Sequence, residues 1–142
     1  YEEVAGRDFF EAVPYLIWNR QGEEVCQQRY HYYETLSRMF TEAYCKQIGD
    51  WCEAHNLIST GHLLGEDSVR GQASNVGEAM RCYREFQLPG IDNLCDLREF
   101  SAAKQAASIA HQYGKEGVLS ELYGVTQWDF DFEGYKLAVS LV

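Results

Sequence analysis

Val118-Leu119-Ser120-Glu121-Leu122-Tyr123-Gly124 and, earlier in the chain, Ser59-Thr60-Gly61-His62-Leu63-Leu64-Gly65-Glu66 decide how the fold is read. Each is a short, largely apolar run with a carboxylate near a glycine, and each leads through a loop into a segment of helical pattern. A short apolar run bounded by turn residues fits a buried strand, and strands buried on both faces belong to parallel sheets. Strands that end in glutamate and alternate with helices are how a barrel enzyme presents catalytic acids at one rim.

Outward from these two runs, the pattern alternates. Gly22-Glu23-Glu24 opens a long helix whose apolar stripe is Tyr33, Leu36, Phe40, Tyr44, Ile48 and Cys52, spaced by three and four residues. His55-Asn56 stops it, since Asn tolerates the left-handed conformation of a helix end. Leu57 to Leu64 reads as the first strand, and the Gly-, Asp- and Ser-containing stretch to Asn75 as a loop. Val76 to Phe86 reads as a helix and Gly90 to Cys95 as the second strand. Ser101 caps a helix over Ala102 to Tyr113 that Gly114 closes. Val118 to Leu122 is the third strand and Phe132 to Leu141 the last helix. Pro14 and Pro89 fall at expected connections, and residues 1–20 carry no decisive pattern. Helices alternating with strands predict parallel pairing and an α/β fold. A full (β/α)8 TIM barrel takes about 250 residues, so the 142 here predict a partial barrel of three to four β/α units. The expected organisation is a single α/β domain over residues 1–142, an excerpt of a larger catalytic domain, because the chain starts at Tyr and not Met.

Composition narrows the function classes. A net charge of -10 argues against nucleic acid and anionic membrane surfaces as partners, since both call for clustered Lys and Arg. No signal peptide pattern and no bilayer-length apolar run is present, and the five cysteines form no CxxC pair. Reduced, buried thiols and a cytoplasmic setting are the expectation. Ten tyrosines, seven phenylalanines and three tryptophans suit core edges and sugar-binding clefts alike.

The candidate chemistry lies at the strand ends. Glu121 sits within an apolar strand, where an ionised carboxylate is costly unless it is paired, hydrogen-bonded or at a wet rim. Glu66 is either its partner acid or a loop and helix-cap residue. His62 is either a substrate contact and acid/base helper or a core histidine. Asp92, on the strand between the two glutamates, joins the substrate-facing set. Tyr123 and Trp128 offer aromatic faces for a pyranose ring or pack on the last helix; Asp129 and Asp131 open that helix. GxGxxG, GxxxxGK[ST], HExxH and GxSxG are all absent. No histidine stands convincingly beside a cysteine as its base. A carboxylate pair remains, the equipment of glycoside hydrolysis, in which one group protonates the leaving oxygen and the other activates water.

The run Tyr44–Leu64, YCKQIGDWCEAHNLISTGHLL, together with LPGIDNL and LSELYGVTQWDF, resembles bacterial glycoside hydrolases of the α-L-rhamnosidase type, family 106 and its uncharacterised relatives. The likeness extends over roughly residues 32–132. It implies a (β/α)8 catalytic domain that cleaves a terminal deoxy-sugar from glycans or glycosides, with inversion. Carried over, Glu66 takes the general-acid position and Glu121 the general-base position, with His62, Tyr123 and Trp128 as substrate contacts. The resemblance also implies a calcium ion, with no ligands assigned to it. A part-barrel leaves sheet edges open, so self-association into a homo-oligomer is expected. Two alternatives stand beside the enzyme: a non-catalytic carbohydrate-binding or scaffolding α/β domain, and another sugar-active barrel enzyme such as an isomerase or aldolase. No predicted strand carries the lysine of a Schiff-base aldolase.

Overall fold

The computed structural model describes residues 1–18, 22–66, 68–93 and 100–141. In chain order the elements are α1 (Glu2–Ala5), α2 (Phe9–Ile17), α3 (Glu23–Phe40), a π-helical turn (Thr41–Lys46) and α4 (Gln47–Ala54). There follow β1 (Thr60–Gly61), α5 (Val69–Asn75), α6 (Ala79–Glu85), β2 (Leu88–Asn93), α7 (Ser101–Gln112), β3 (Leu119–Leu122) and α8 (Phe132–Leu141). The fold is mostly helical, with one small parallel sheet ordered β1-β2-β3.

That architecture overturns the expected partial TIM barrel. Only Thr60 and Gly61 of the first apolar run pair as strand, while Leu57, Ile58 and Leu64 are exposed. A stretch read as loop forms α5, whose cap Ser68 accepts from Gly71 N at 3.1 Å. Every element up to Ala54 is helical, so strands and helices alternate only in the rest of the chain. A two-residue and a four-residue strand flank the six residues of β2, too little ladder for a barrel wall. Pro14 lies inside α2 and Pro89 inside β2, not at connections. Leu94 and Cys95, the end of the expected second strand, lie outside the described residues, as does Asp67.

The long helix was also expected to bury its apolar stripe. Tyr33, Leu36, Tyr44 and Ile48 are instead exposed, and Ser37, Thr41, Cys45 and Gly49 are buried. Close approach to the α6 region explains the choice of face. A Cβ on Gly49 would stand 2.4 Å from Glu85 O, and one on Gly77, which has a positive φ of 82°, would stand 2.5 Å from Ser37 Cβ. Small side chains let the two backbones meet, and Thr41 Oγ1 reaches Cys82 Sγ at 3.6 Å across the seam. The core lies where this seam meets the sheet: Cys45, Cys82 and Tyr83 from the helices, Ile91 from β2, Ala106 and Ile109 from α7. Alanines on α7 bring it close to α6 and β2 on that face.

The sheet positions the site. Register is Thr60↔Leu88 and Gly61↔Pro89 on one side of β2, and Gly90↔Leu119 through Asn93↔Leu122 on the other. Ile91 points into the core, so its neighbour Asp92 faces the opposite side by strand parity. Among the described residues no helix is long and apolar enough to cross a membrane.

Candidate functional site

Three polar side chains meet at the C-terminal ends of the parallel strands. His62 follows β1, Asp92 is near the end of β2, and Glu121 is opposite Asp92 in register on β3. One ligand-type atom from each lies within 4.8 Å of the others. Parallel α/β sheets place their ligand sites at this edge, because loops leave the carboxyl ends of the strands there. His62 Nδ1 stands 3.8 Å from Asp92 Oδ2, with the two side chains 44% and 23% exposed. Asp92 Oδ1 is buried with no hydrogen-bond partner among the described residues, and so is Ser120 Oγ. A buried polar atom without a partner is costly in a folded protein, and a water, ion or ligand would satisfy the Asp92 oxygen; Ser120 faces the other side of β3 from Glu121. Glu121 is exposed, as the alternation along β3 requires.

Glu66 is placed differently. It is 4% exposed and points into the fold. Its Oε1 accepts from Asp92 N at 2.7 Å, and its Oε2 accepts from Leu63 N at 3.0 Å and Tyr83 Oη at 2.5 Å. Gln72 holds its main chain, donating to Glu66 O at 2.9 Å and to Gln105 Oε1 at 2.8 Å. Glu66 thus touches Asp92 through the backbone of β2 but does not stand beside Glu121 at the open edge. Tyr83, Gln72 and Gln105 escaped the sequence reading. Gln72 fell in a presumed loop, and a tyrosine in an apolar helix reads as core; only their long-range partners reveal them.

The two aromatic candidates separate. Tyr123 has a φ of 70° and packs on Tyr135 and Phe130, with ring centroids 4.7 and 6.4 Å away. Trp128 is fully exposed on the loop before α8. Val125 also has a positive φ of 60°, an uncommon conformation for a β-branched residue that bends the loop sharply after Glu121.

The trio offers one imidazole nitrogen and two carboxylates. Calcium takes six to eight oxygen ligands, whereas a mixed nitrogen and oxygen set suits borderline transition metals. The Glu66 carboxylate, engaged by three donors, adds no ligand. The calcium that the resemblance implies therefore does not fit these residues. What the arrangement can do without it is carboxylate chemistry: two acids in neighbouring registers, one exposed and one half-buried, with an imidazole beside the second.

No protein-family model, no curated protein and no solved structure matches the chain.

Proposed function

We propose that this edge is the catalytic centre of a glycoside hydrolase acting on terminal sugars, of the α-L-rhamnosidase kind. The observation that carries the reading is the approach of Asp92 and Glu121, whose nearest oxygens are within 4.8 Å on adjacent strand ends. Retaining glycosidases hold their two carboxyls about 5–5.5 Å apart, and inverting ones about 6.5–9.5 Å, to admit a water between them. The spacing favours retention. In that reaction Asp92 attacks the anomeric carbon and forms a glycosyl ester, while Glu121 gives its proton to the departing oxygen. Glu121 then takes a proton from water, the water oxygen bonds to the anomeric carbon, and the sugar leaves with Asp92 restored. His62 Nδ1 stands beside that carboxylate, 3.8 Å from Asp92 Oδ2 and beyond direct hydrogen-bond reach. The reading departs from the resemblance in its partner for Glu121 and in its stereochemistry.

The test is hydrolysis of 4-nitrophenyl glycosides, α-L-rhamnoside first, with the anomer of the released sugar followed by proton NMR. Glu121→Gln is expected to lower turnover at least about a hundredfold, the scale of general acid–base catalysis. Wild-type rates in that variant refute the assignment, and an inverted product refutes the Asp92–Glu121 pairing. The full exposure of Trp128 favours a second reading, a carbohydrate-binding domain without chemistry. Monosaccharide binding by calorimetry, with no glycoside hydrolysed, decides for it.

A further inference from the structure

We infer that Glu66 and Tyr83 form a positioning clamp that fixes the end of β2, and with it Asp92, opposite Glu121. The kinetic half of the test rests on the glycoside-hydrolase reading; the structural half does not.

The geometry carries the inference. The Glu66 carboxylate ties three separate segments together: the turn after β1 through Leu63 N, helix α6 through Tyr83 Oη, and β2 through Asp92 N. An ionised carboxylate only accepts hydrogen bonds, and bonds of that kind from fixed donors are short and strong. Both oxygens of Glu66 already accept. A general acid must present its proton to the leaving oxygen of a bound substrate, within hydrogen-bond reach. A side chain 4% exposed, with donors at 2.5, 2.7 and 3.0 Å, has no free oxygen at the cleft to do so. Gln72 also pins the Glu66 carbonyl and leans on Gln105 of α7. The carboxylate cannot swing to the edge without breaking this set.

What the clamp does bear on is Asp92. The backbone N–H of Asp92 is the one that Glu66 grips, and Asp92 is the residue paired in register with Glu121. Shifting that amide shifts the Asp92 carboxylate relative to Glu121. A displacement of about 1 Å at reacting groups costs on the order of a hundredfold in rate. Tyr83, fully buried between α6 and the sheet, is the second jaw: its hydroxyl holds Oε2, and through it the rotamer of Glu66. Glu66 and Tyr83 touch no substrate. They act through Asp92.

Glu66→Ala, Glu66→Gln and Tyr83→Phe test the clamp with two readouts. The first is amide hydrogen exchange at Asp92 by NMR: protected in the wild type, and at least tenfold faster in Glu66→Ala, which removes both acceptor oxygens where a glutamine keeps one. Unchanged exchange there overturns the clamp, whatever the activity. The second is turnover of 4-nitrophenyl and 2,4-dinitrophenyl α-L-rhamnosides, whose leaving phenols differ in acidity. Glu66→Gln and Tyr83→Phe are expected to lose kcat by a similar factor, about tenfold to a hundredfold, on both substrates, with KM little changed. A Glu66→Gln loss confined to the poorer leaving group makes Glu66 the general acid and overturns the clamp. A wild type that hydrolyses neither substrate sinks the glycosidase reading alone, and the exchange measurement then decides the clamp.

Discussion

Gly90→Ala tests whether the small sheet really aligns the candidate site. Gly90 sits in the central strand with β1 pressed against it. An added Cβ would stand 2.7 Å from Gly61 O and 2.8 Å from Gly61 C, where ordinary contact begins at 3.4 Å. Both obstacles are backbone, so no side chain can rotate away. β1 would have to retreat by about 0.7 Å, and its two-residue ladder to β2 resists little. Overpacking of this kind costs about 1–3 kcal/mol. Losing one or two ladder hydrogen bonds outright would cost about 0.5–1.5 kcal/mol each, the same scale. We expect a loss near 2 kcal/mol in urea-unfolding free energy with an unchanged m-value, set against a total of about 5–15 kcal/mol, so the variant still folds. His62 follows Gly61 directly, so the retreat of β1 widens its 3.8 Å approach to Asp92. Under the proposed glycosidase reading, turnover should then fall together with stability. Gly90 is not in the left-handed region, so an alanine that met no obstacle would stabilise by about 0.4–1 kcal/mol through the unfolded chain. A neutral or stabilising result therefore refutes the contact geometry.

Two further outcomes follow from the packing. The Cys45 thiol is pushed up by its hydrogen bond with the Cys82 thiol and by burial, and both cysteines are inaccessible, whereas Cys26 is exposed. Ellman's reagent should label Cys26 first in the native protein and reach Cys45 and Cys82 only as urea unfolds it; early labelling of Cys82 contradicts the packing. Asp131 Oδ1 accepts from Gly134 N at 2.9 Å at the start of α8, so Asp131→Ala should cost about 1 kcal/mol of stability by urea titration, and a change within a few tenths counts against that cap.

Local chemistry made part of this molecule legible in the sequence. The long helix is periodic enough to place, and Asn56, taken as a helix stop, has a φ of 56°. Thr60, Ile91 and Leu119 lie in segments whose apolar character and turn residues marked them as strand. What failed was extrapolation from those strands to a barrel, because strand length and sheet size depend on pairing partners far along the chain. The face of the long helix failed for a related reason. Hydrophobicity favours Leu36 and Ile48 as core, but the partner backbone at Glu85 admits only a residue without a side chain, and Gly49 wins. At the site, position at the strand ends put His62, Asp92 and Glu121 in one candidate set, which also included Glu66. The inward turn of Glu66 was not legible because two of its three donors, Tyr83 and Asp92, lie 17 and 26 residues away.

The π-helical turn at Thr41–Lys46 has a consequence for how the chain tolerates changes in length. Ser37, Thr41, Cys45 and Gly49 recur every fourth residue, but an α-helix advances about 100° per residue, so a strict four-residue repeat drifts around its axis. The wider turn, with its i→i+5 bonds, absorbs one extra residue and counters the drift. Counted in residues, the helix is one longer than the distance it covers requires. Substituting or deleting exposed Ala43 should therefore be mild, because the deletion closes the wide turn into regular α-helix and leaves the face beyond it in place, whereas deleting Gln47 from the regular helix would rotate everything beyond by about 100°. Gly49 would leave Glu85, and a larger neighbour would arrive in its place. The helix thus has a residue to spare at the wide turn and none in the regular turns beside it.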